Sequence, residues 1–267
     1  MTRVSEHSIA PLSDAHEMNV ILPHKQFAAP DTDVLVVHSS DIHVSEGFTE
    51  PLHRGDGTAG LRVVLAAARA SKADVAVLVG DTFEHNRLSS ALLERAARLL
   101  ADADLPVVLL PGNHDPAIPG SVFHRGGIAT LPNVQVLGVT EEQAVLFPKL
   151  GLEIWGDAHF DYNDMHPLLR PRPRRSFWQI AAAHGHYEPK PNRATRLRAS
   201  WLIGDDDIDG TRADYVALGH WNRHARVGSG AVAAYYSGSP DHAGTVNLVR
   251  LKRDGAVEVT RETVNWD

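Results

Sequence analysis

The sequence predicts an α/β protein in which two facing mixed β-sheets form a sandwich flanked by helices. Its first half alternates short apolar runs, Val34 to His38, Val75 to Val79 and Val107 to Leu110, with segments of helical periodicity, the pattern of parallel βαβ units. From Asn133 onward the pattern turns β-like: Val134 to Val139, Gln143 to Leu146 and Leu152 to Gly156 alternate or run apolar between turn residues, which is where a second sheet begins. A length of 267 residues, 43% of them hydrophobic, suits one such sandwich with a real core. We therefore expect one domain over residues 33–267, preceded by an extension at residues 1–32.

The extension mixes charges, His and Pro with little periodicity and reads as a tail over the surface, with Val20-Ile21-Leu22 as a short edge strand. Val44 to Thr58 holds Gly47, His53, Gly55, Gly57 and several acids, a connection long enough to reach the rim of a site. Thr58 then reads as a helix N-cap, followed by Leu61, Val64, Leu65 and Ala68 at 3.6-residue spacing. Ser89 or Ser90 caps a second helix whose Leu92, Leu93, Ala96, Leu99 and Leu100 make one apolar face. Arg170, Arg172, Arg174 and Arg175 surround two prolines, and residues 170–198 total eight Lys plus Arg against one acid, Glu188; this is either a solvated basic loop or a phosphate-steering patch. Asp205, Asp207, Asp209 and Gly210 begin like a calcium loop, but Val216 stands where a bidentate Glu is required, so those acids read as a solvated turn. Ile180 to Ala183 and Asp214 to Leu218 read as strands, and Thr245 to Leu251 with Ala256 to Val264 as a terminal hairpin turning at Asp254-Gly255.

What distinguishes the strands of the first half is how they end. Val34 to His38 runs into Asp41-Ile42-His43, Val75 to Val79 into Gly80-Asp81-Thr82-Phe83-Glu84, and Val107 to Leu110 into Gly112-Asn113-His114-Asp115. The carboxyl ends of parallel strands are where open α/β sheets place their ligands. An oxygen and nitrogen set repeated at three such ends suits divalent metals of intermediate hardness.

In order, spacing and strand context, these motifs together with His184 and Gly219-His220 resemble the calcineurin-like metallophosphoesterase superfamily over roughly Asp33 to Pro240. That family runs Asp-x-His, Gly-Asp-x-x-Asp, Gly-Asn-His-Asp/Glu, a lone His, then Gly-His-x-His. The resemblance implies the metallophosphoesterase fold over a catalytic domain, and two divalent metal ions, Mn²⁺ or else Fe or Zn²⁺, supporting a bridging hydroxide. Residue by residue, it implies Asp41, His43 and a bridging Asp81 at the first metal, and Asp81, Asn113, His184 and His220 at the second. It implies His114 as general acid, with Glu84, in place of the family's Asp, on that imidazole's other nitrogen.

The last motif departs from the family, because Gly219-His220-Trp221-Asn222 puts Asn222 where a second His is expected. Asn222 supplies an amide oxygen to the first metal, or His224 reaches across, or water fills the place. His38, His85, His159, His186 and His224 read as structural. Tyr215 to His220 and Tyr236-Ser237-Gly238-Ser239-Pro240 look like the DNA-repair exonuclease branch, which favours phosphodiesters. The end at Asp267, where those nucleases continue into a DNA-capping domain, favours a small or nucleotide-derived diester, with a DNA or RNA nuclease as the alternative. A phosphomonoesterase and a non-catalytic metal-binding scaffold stand behind both.

A formal net charge of -7 gives no global attraction to nucleic acid, and zero Cys removes disulfides and thiolate metal sites and fits a reducing compartment. No apolar run approaches the ~18 residues of a membrane helix, and Met1 to Asp31 lacks the order of a secretion signal. The expectation is a cytoplasmic protein without a membrane partner, some of whose 16 His residues bind metal.

Overall fold

Strand β1 (Val34–Ser39), helix α1 (Ala59–Ala70), strand β2 (Val75–Val79), helix α2 (Ser90–Ala101), and strands β3 (Val107–Leu110) and β4 (Val134–Val136) follow the predicted alternation. They belong to a computed structural model that describes residues 27–46, 53–141, 143–194 and 200–266. The edge strand expected at Val20-Ile21-Leu22 lies outside the described residues. The second half continues with β5 (Ala144–Phe147), β6 (Leu152–Trp155), β7 (Trp178–His184), β8 (His186–Tyr187), β9 (Leu202–Ile203) and α3 (Asp205–Thr211). Next come β10 (Tyr215–Gly219), β11 (Ala225–Val227), β12 (Ala233–Tyr236), α4 (Pro240–Ala243), β13 (Thr245–Leu251) and β14 (Val257–Thr263).

Two six-stranded sheets result, in the orders β14-β13-β1-β2-β3-β4 and β11-β12-β10-β7-β6-β5. In the first, β1 to β4 are parallel and the predicted terminal hairpin adds antiparallel on β1. In the second, β12, β10, β7 and β6 are parallel, with β11 and β5 as antiparallel edges. Both sheets are mixed, and helices cover the outer side of the first, as the sequence predicts.

The near-continuous apolar strands are explained by burial on both faces. Val75, Val77 and Val79 turn inward and pack with Ile180, Ala182, Tyr215 and Ala217 between the sheets. Their neighbours Ala76 and Leu78 turn outward onto Leu61, Leu65, Leu92, Leu93 and Leu100 of α1 and α2. Truncating one of these fully buried leucines to Ala should cost about 2–5 kcal/mol. Ser89 caps α2 by accepting the Leu92 N–H at 3.2 Å, whereas Thr58, at the start of α1, makes no side-chain cap bond. Its hydroxyl donates instead to Asp56 Oδ1 at 2.7 Å.

Two polar segments depart from their sequence reading. Asp205, Asp206 and Asp207 form the first turn of helix α3 rather than a solvated turn, where negative charge suits the helix dipole and Asp207 accepts the Gly204 N–H at 2.7 Å. Within the Arg-rich segment, Arg174 and Arg175 are tied to acids of the same chain rather than lying free in a solvated loop. Arg174, only 6% exposed, donates to Asp214 at 2.7 Å and to the Phe177 carbonyl at 2.7 Å, and Arg175 pairs with the buried Glu153 at 2.7 Å. Arg172 bonds Gln143, while Arg196 and Arg198 lie outside the described residues. Among the described residues no helix is long and apolar enough to cross a membrane.

Between the sheets lies a polar network. His38 Nδ1 meets the Tyr215 hydroxyl at 2.9 Å, and Asn247 joins this pair to His224, whose Nδ1 is 3.0 Å from Asn247 Oδ1. Burial pushes His38 down to about 3, so it stays neutral in the folded chain.

Unfolding measurements can read both the Arg174 pair and this network. Arg174→Ala, which strips the largely enclosed Asp214 carboxylate of its cation, should cost about 3 kcal/mol in urea unfolding, and a cost near zero would return this arginine to the solvent. The unfolded chain protonates its His residues below about 6.5, so His38 should contribute stability above that pH that is lost as the pH falls toward 3. Urea midpoints taken through that window should fall less steeply in His38→Gln than in the parent, and identical slopes would contradict the assignment.

Candidate metal centre

The candidate site forms where the carboxyl ends of five parallel strands meet, three from the first sheet and two from the second. Registers bring those ends level, with Ser39 beside Leu78, Val79 beside Leu110 and His184 beside Gly219. His184 closes the junction, because its Nδ1 lies 3.0 Å from the Val79 carbonyl at the end of β2. A carbonyl only accepts, so Nδ1 carries the proton and Nε2 faces Asp81 Oδ2 at 3.1 Å and Asn113 Oδ1 at 3.0 Å. Two glycines permit this approach. A Cβ on Gly80, whose φ is +78°, would lie 2.0 Å from His184 Nδ1, and one on Gly219 would lie 1.9 Å from the Val79 carbonyl oxygen.

The loops after β1 and β2 then run side by side. Asp41 N–H donates to the Gly80 carbonyl at 3.1 Å, His43 N–H to the Asp81 carbonyl at 3.0 Å and Val44 N–H to the Thr82 carbonyl at 2.9 Å. Asp41, His43, Asp81 and His220 all adopt positive φ, at 53°, 52°, 51° and 106°, a conformation that non-glycine residues keep only where surrounding bonds over-determine it. Asp115 supplies such bonds. Fully buried, it accepts the N–H groups of Gly112 at 2.7 Å, Phe83 at 3.0 Å and Asp81 at 3.2 Å, tying the second motif to the third. Burial and then the nearby Asp81 push its carboxyl up to about 6. In the sequence Asp115 stands in its motif without a role; only the fold reveals how many loop amides converge on it.

Eight residues expected at the site come together. Asp41 with His43 and Asp81, Asp81 with His184 and His220, and His43 with Glu84 and His114 form three groups whose ligand atoms lie within 4.8 Å of one another. Asn113 joins through its oxygen on His184, and His114 through its N–H on Asp81 Oδ1 at 2.9 Å. The His114 Nδ1 lies 3.0 Å from the Glu84 backbone carbonyl and 3.6 Å from its carboxylate, which sits closer to His43 Nδ1, at 2.9 Å. Glu84 therefore serves two imidazoles, where the sequence assigns it to one. Its hydrogen bonds to His114 and then His43 pull its carboxyl down to about 2, and the Glu84 bond lifts His114 to about 9.

No hydrogen bond among the described residues ties Asn222 or His224 to this assembly. Asn222 is exposed, its backbone carbonyl accepts the Ser239 N–H at 3.3 Å, and no hydrogen bond among the described residues joins its side chain to Asp41, His43 or Asp81. His224 is held by Asn247 in the inter-sheet network instead. The structural reading of His159 and His186 agrees with their bonds, to the His184 carbonyl at 2.9 Å and the Trp221 indole at 3.1 Å.

The donor set fits a divalent cation. Burial opposes ionisation of Asp81, yet His184 beside it holds that carboxyl well below the usual range, while burial and the neighbouring Asp81 push Asp41 up despite His184. Two buried carboxylates and an amide oxygen converging this closely are acceptors that a cation would satisfy together. His220, driven down to about 4 by burial and then by His184, is neutral and keeps a lone pair for coordination.

The chain matches the calcineurin-like phosphoesterase family over residues 34–223. TT1561 of Thermus thermophilus is similar in structure, at a TM-score of 0.55 and 14% identity over 86% of this chain and 99% of that one. A second crystal structure is similar at a TM-score of 0.50 and 12% identity over 86% and 98%. At such identities the likeness is one of fold. No curated protein matches.

Calorimetric titration with Mn²⁺ should find metal affinity weakened about 10- to 100-fold in Asp115→Ala, which frees the loops that aim Asp81 and Asn113. The same titration should find Asn222→Ala unchanged, and loss of a site in that variant would restore Asn222 as a ligand.

Proposed function

We propose that this chain, which belongs to the calcineurin-like phosphoesterase family and is thereby a metal-dependent hydrolase, cleaves phosphodiester bonds of a small or nucleotide-derived substrate with two divalent cations. Asp41, His43 and Asp81 would hold one cation, and Asp81, Asn113, His184 and His220 the other. When bound, such ions neutralise phosphoryl charge and make hydroxide accessible near neutral pH.

The observation that carries the reading is His114. Its side chain is 41% exposed and lines a cleft of about 300 Å³ with Glu84, Asn113 and three other residues, while its backbone N–H is fixed on Asp81. With Nδ1 engaged by the Glu84 carbonyl, Nε2 is the nitrogen left to meet substrate. Raised to about 9, the imidazole holds its proton at neutral pH and can give it to the departing alkoxide, after which Glu84 stabilises the ring for reprotonation. A scaffold that only bound metal would have no use for this positioned acid.

A cleft of about 300 Å³ beside His114 has room for a small diester. Arg174 and Arg175 are paired with Asp214 and Glu153, so these two cations of the Arg-rich segment lend little support to steering a polyanion in the nuclease alternative.

His114→Ala should keep its metal yet lose rate by ~10²- to 10⁴-fold on diesters with alkoxide leaving groups, and far less where the leaving group is p-nitrophenol. Equal losses on both would remove the general-acid role, and a parent that turns over monoesters but no diester would remove the substrate class.

A further inference from the structure

Two aromatic rings stand on the wall of the His114 cleft that the phosphoryl chemistry leaves without a task. Tyr162 is 56% exposed, one of few large apolar side chains open to solvent among the described residues, and it lines the cleft with Trp201, Asn113 and His114. A single exposed aromatic is ordinary by itself, but Tyr162 shares the cleft with a second aromatic ring, Trp201. Trp201 is built in with care. Its φ is +45°, an unusual conformation for a bulky residue, and it is held there by its N–H on Asp164 Oδ1 at 2.8 Å and its indole N–H on the Asn163 carbonyl at 2.9 Å. Asp164 also accepts the Ser200 N–H at 3.0 Å, so the strand-linking segments at 161–164 and 200–201 are clipped together. The result sets the Trp201 ring edge-on to His220, with centroids 5.7 Å apart, and to His159 at 5.4 Å. Trp201 thus sits between the candidate metal ligand His220 and the cleft that it lines with Tyr162.

We propose that Tyr162 and Trp201 form a stacking subsite for a planar ring, a nucleobase or an aryl group, carried by the diester substrate beside the phosphoryl position. This deepens the phosphodiesterase reading and rests on it. A bare sugar or alkyl alcohol makes little use of two flat apolar faces, whereas a base stacked on them gains affinity whatever its sequence identity, because every base offers a π-face. Anchoring through the ring would also fix the ester oxygen against His114 by holding the substrate at two points. Both residues act by binding and specificity, not by chemistry.

The test compares AMP with ribose 5-phosphate, which share phosphate and sugar and differ by the base, using calorimetric dissociation constants on the full chain supplied with Mn²⁺. The parent should bind AMP about tenfold more tightly, and Tyr162→Ala and Trp201→Leu should each erase most of that advantage. Trp201→Phe, which keeps a ring but gives up the indole bond, should retain it, so a loss caused by loop collapse is told apart from a loss of stacking. Equal affinities in the parent, or an AMP advantage that survives Tyr162→Ala and Trp201→Leu, would overturn the subsite. Hydrolysis of bis(p-nitrophenyl) phosphate by the parent is followed in parallel. Intact hydrolysis without an AMP advantage removes the subsite alone, while an AMP advantage without hydrolysis supports the ring site and removes the phosphodiesterase reading.

Discussion

Two carboxylates, Asp41 and Asp81, are buried side by side where the two sheets meet, and the surrounding structure is arranged to hold them there. Neither is reached by enough water to be solvated, and their environments pull apart, with Asp81 held charged by His184 and Asp41 pushed toward neutrality by burial. That imbalance comes from geometry the chain maintains against backbone preference. The left-handed turns at Asp41, His43 and Asp81 are pinned by amide bonds between adjacent loops and by Asp115 underneath. A fold that keeps acids this close, and strained backbone beneath them, is organised for a cation rather than for its own stability.

The second sheet contributes what the first cannot. Parallel strands of one sheet can aim acids along a line, but His184 and His220 approach from the facing sheet and enclose Asp81 from the other side. This enclosure needs the sheets to touch at their carboxyl ends, which Gly80 and Gly219 allow by leaving out a side chain where His184 meets β2. The inter-sheet core of Val77, Val79, Ile180 and Ala217 sets the spacing, so packing and site geometry are one problem. Glu84 adds the last coupling, because one carboxylate steadies both His43 on the metal side and His114 on the cleft side.

Much of this is legible in the sequence, and the reason is local. A strand that ends in Gly-Asp or Asp-x-His announces both its position and its chemistry within a few residues, and the strand ends at Ser39, Val79 and Leu110 fall where those motifs place them. What is not legible depends on partners distant in sequence. Arg174 reads as a free cation until Asp214 appears beside it, and Asp115 reads as the tail of a motif until three amides converge on it. Motif spacing alone points Asn222 at the first metal, but the turn after His220 leaves it in solvent and leaves His224 to Asn247. The acids from Asp205 onward read as a turn because charge obscures helical periodicity, although their clustering in a first turn is itself a helix signal. Tyr162 and Trp201 give no signal at all, since an isolated aromatic in a loop has no period.

Central to the proposed function is a pair of cations that would share Asp81 where the two sheets meet. Anomalous diffraction from crystals grown with Mn²⁺ tests it most directly. The account predicts two peaks about 3.5–4 Å apart, one against Asp41 and His43 and the other against Asn113, His184 and His220, with Asp81 between them. A single peak, or peaks located away from Asp81, would contradict it.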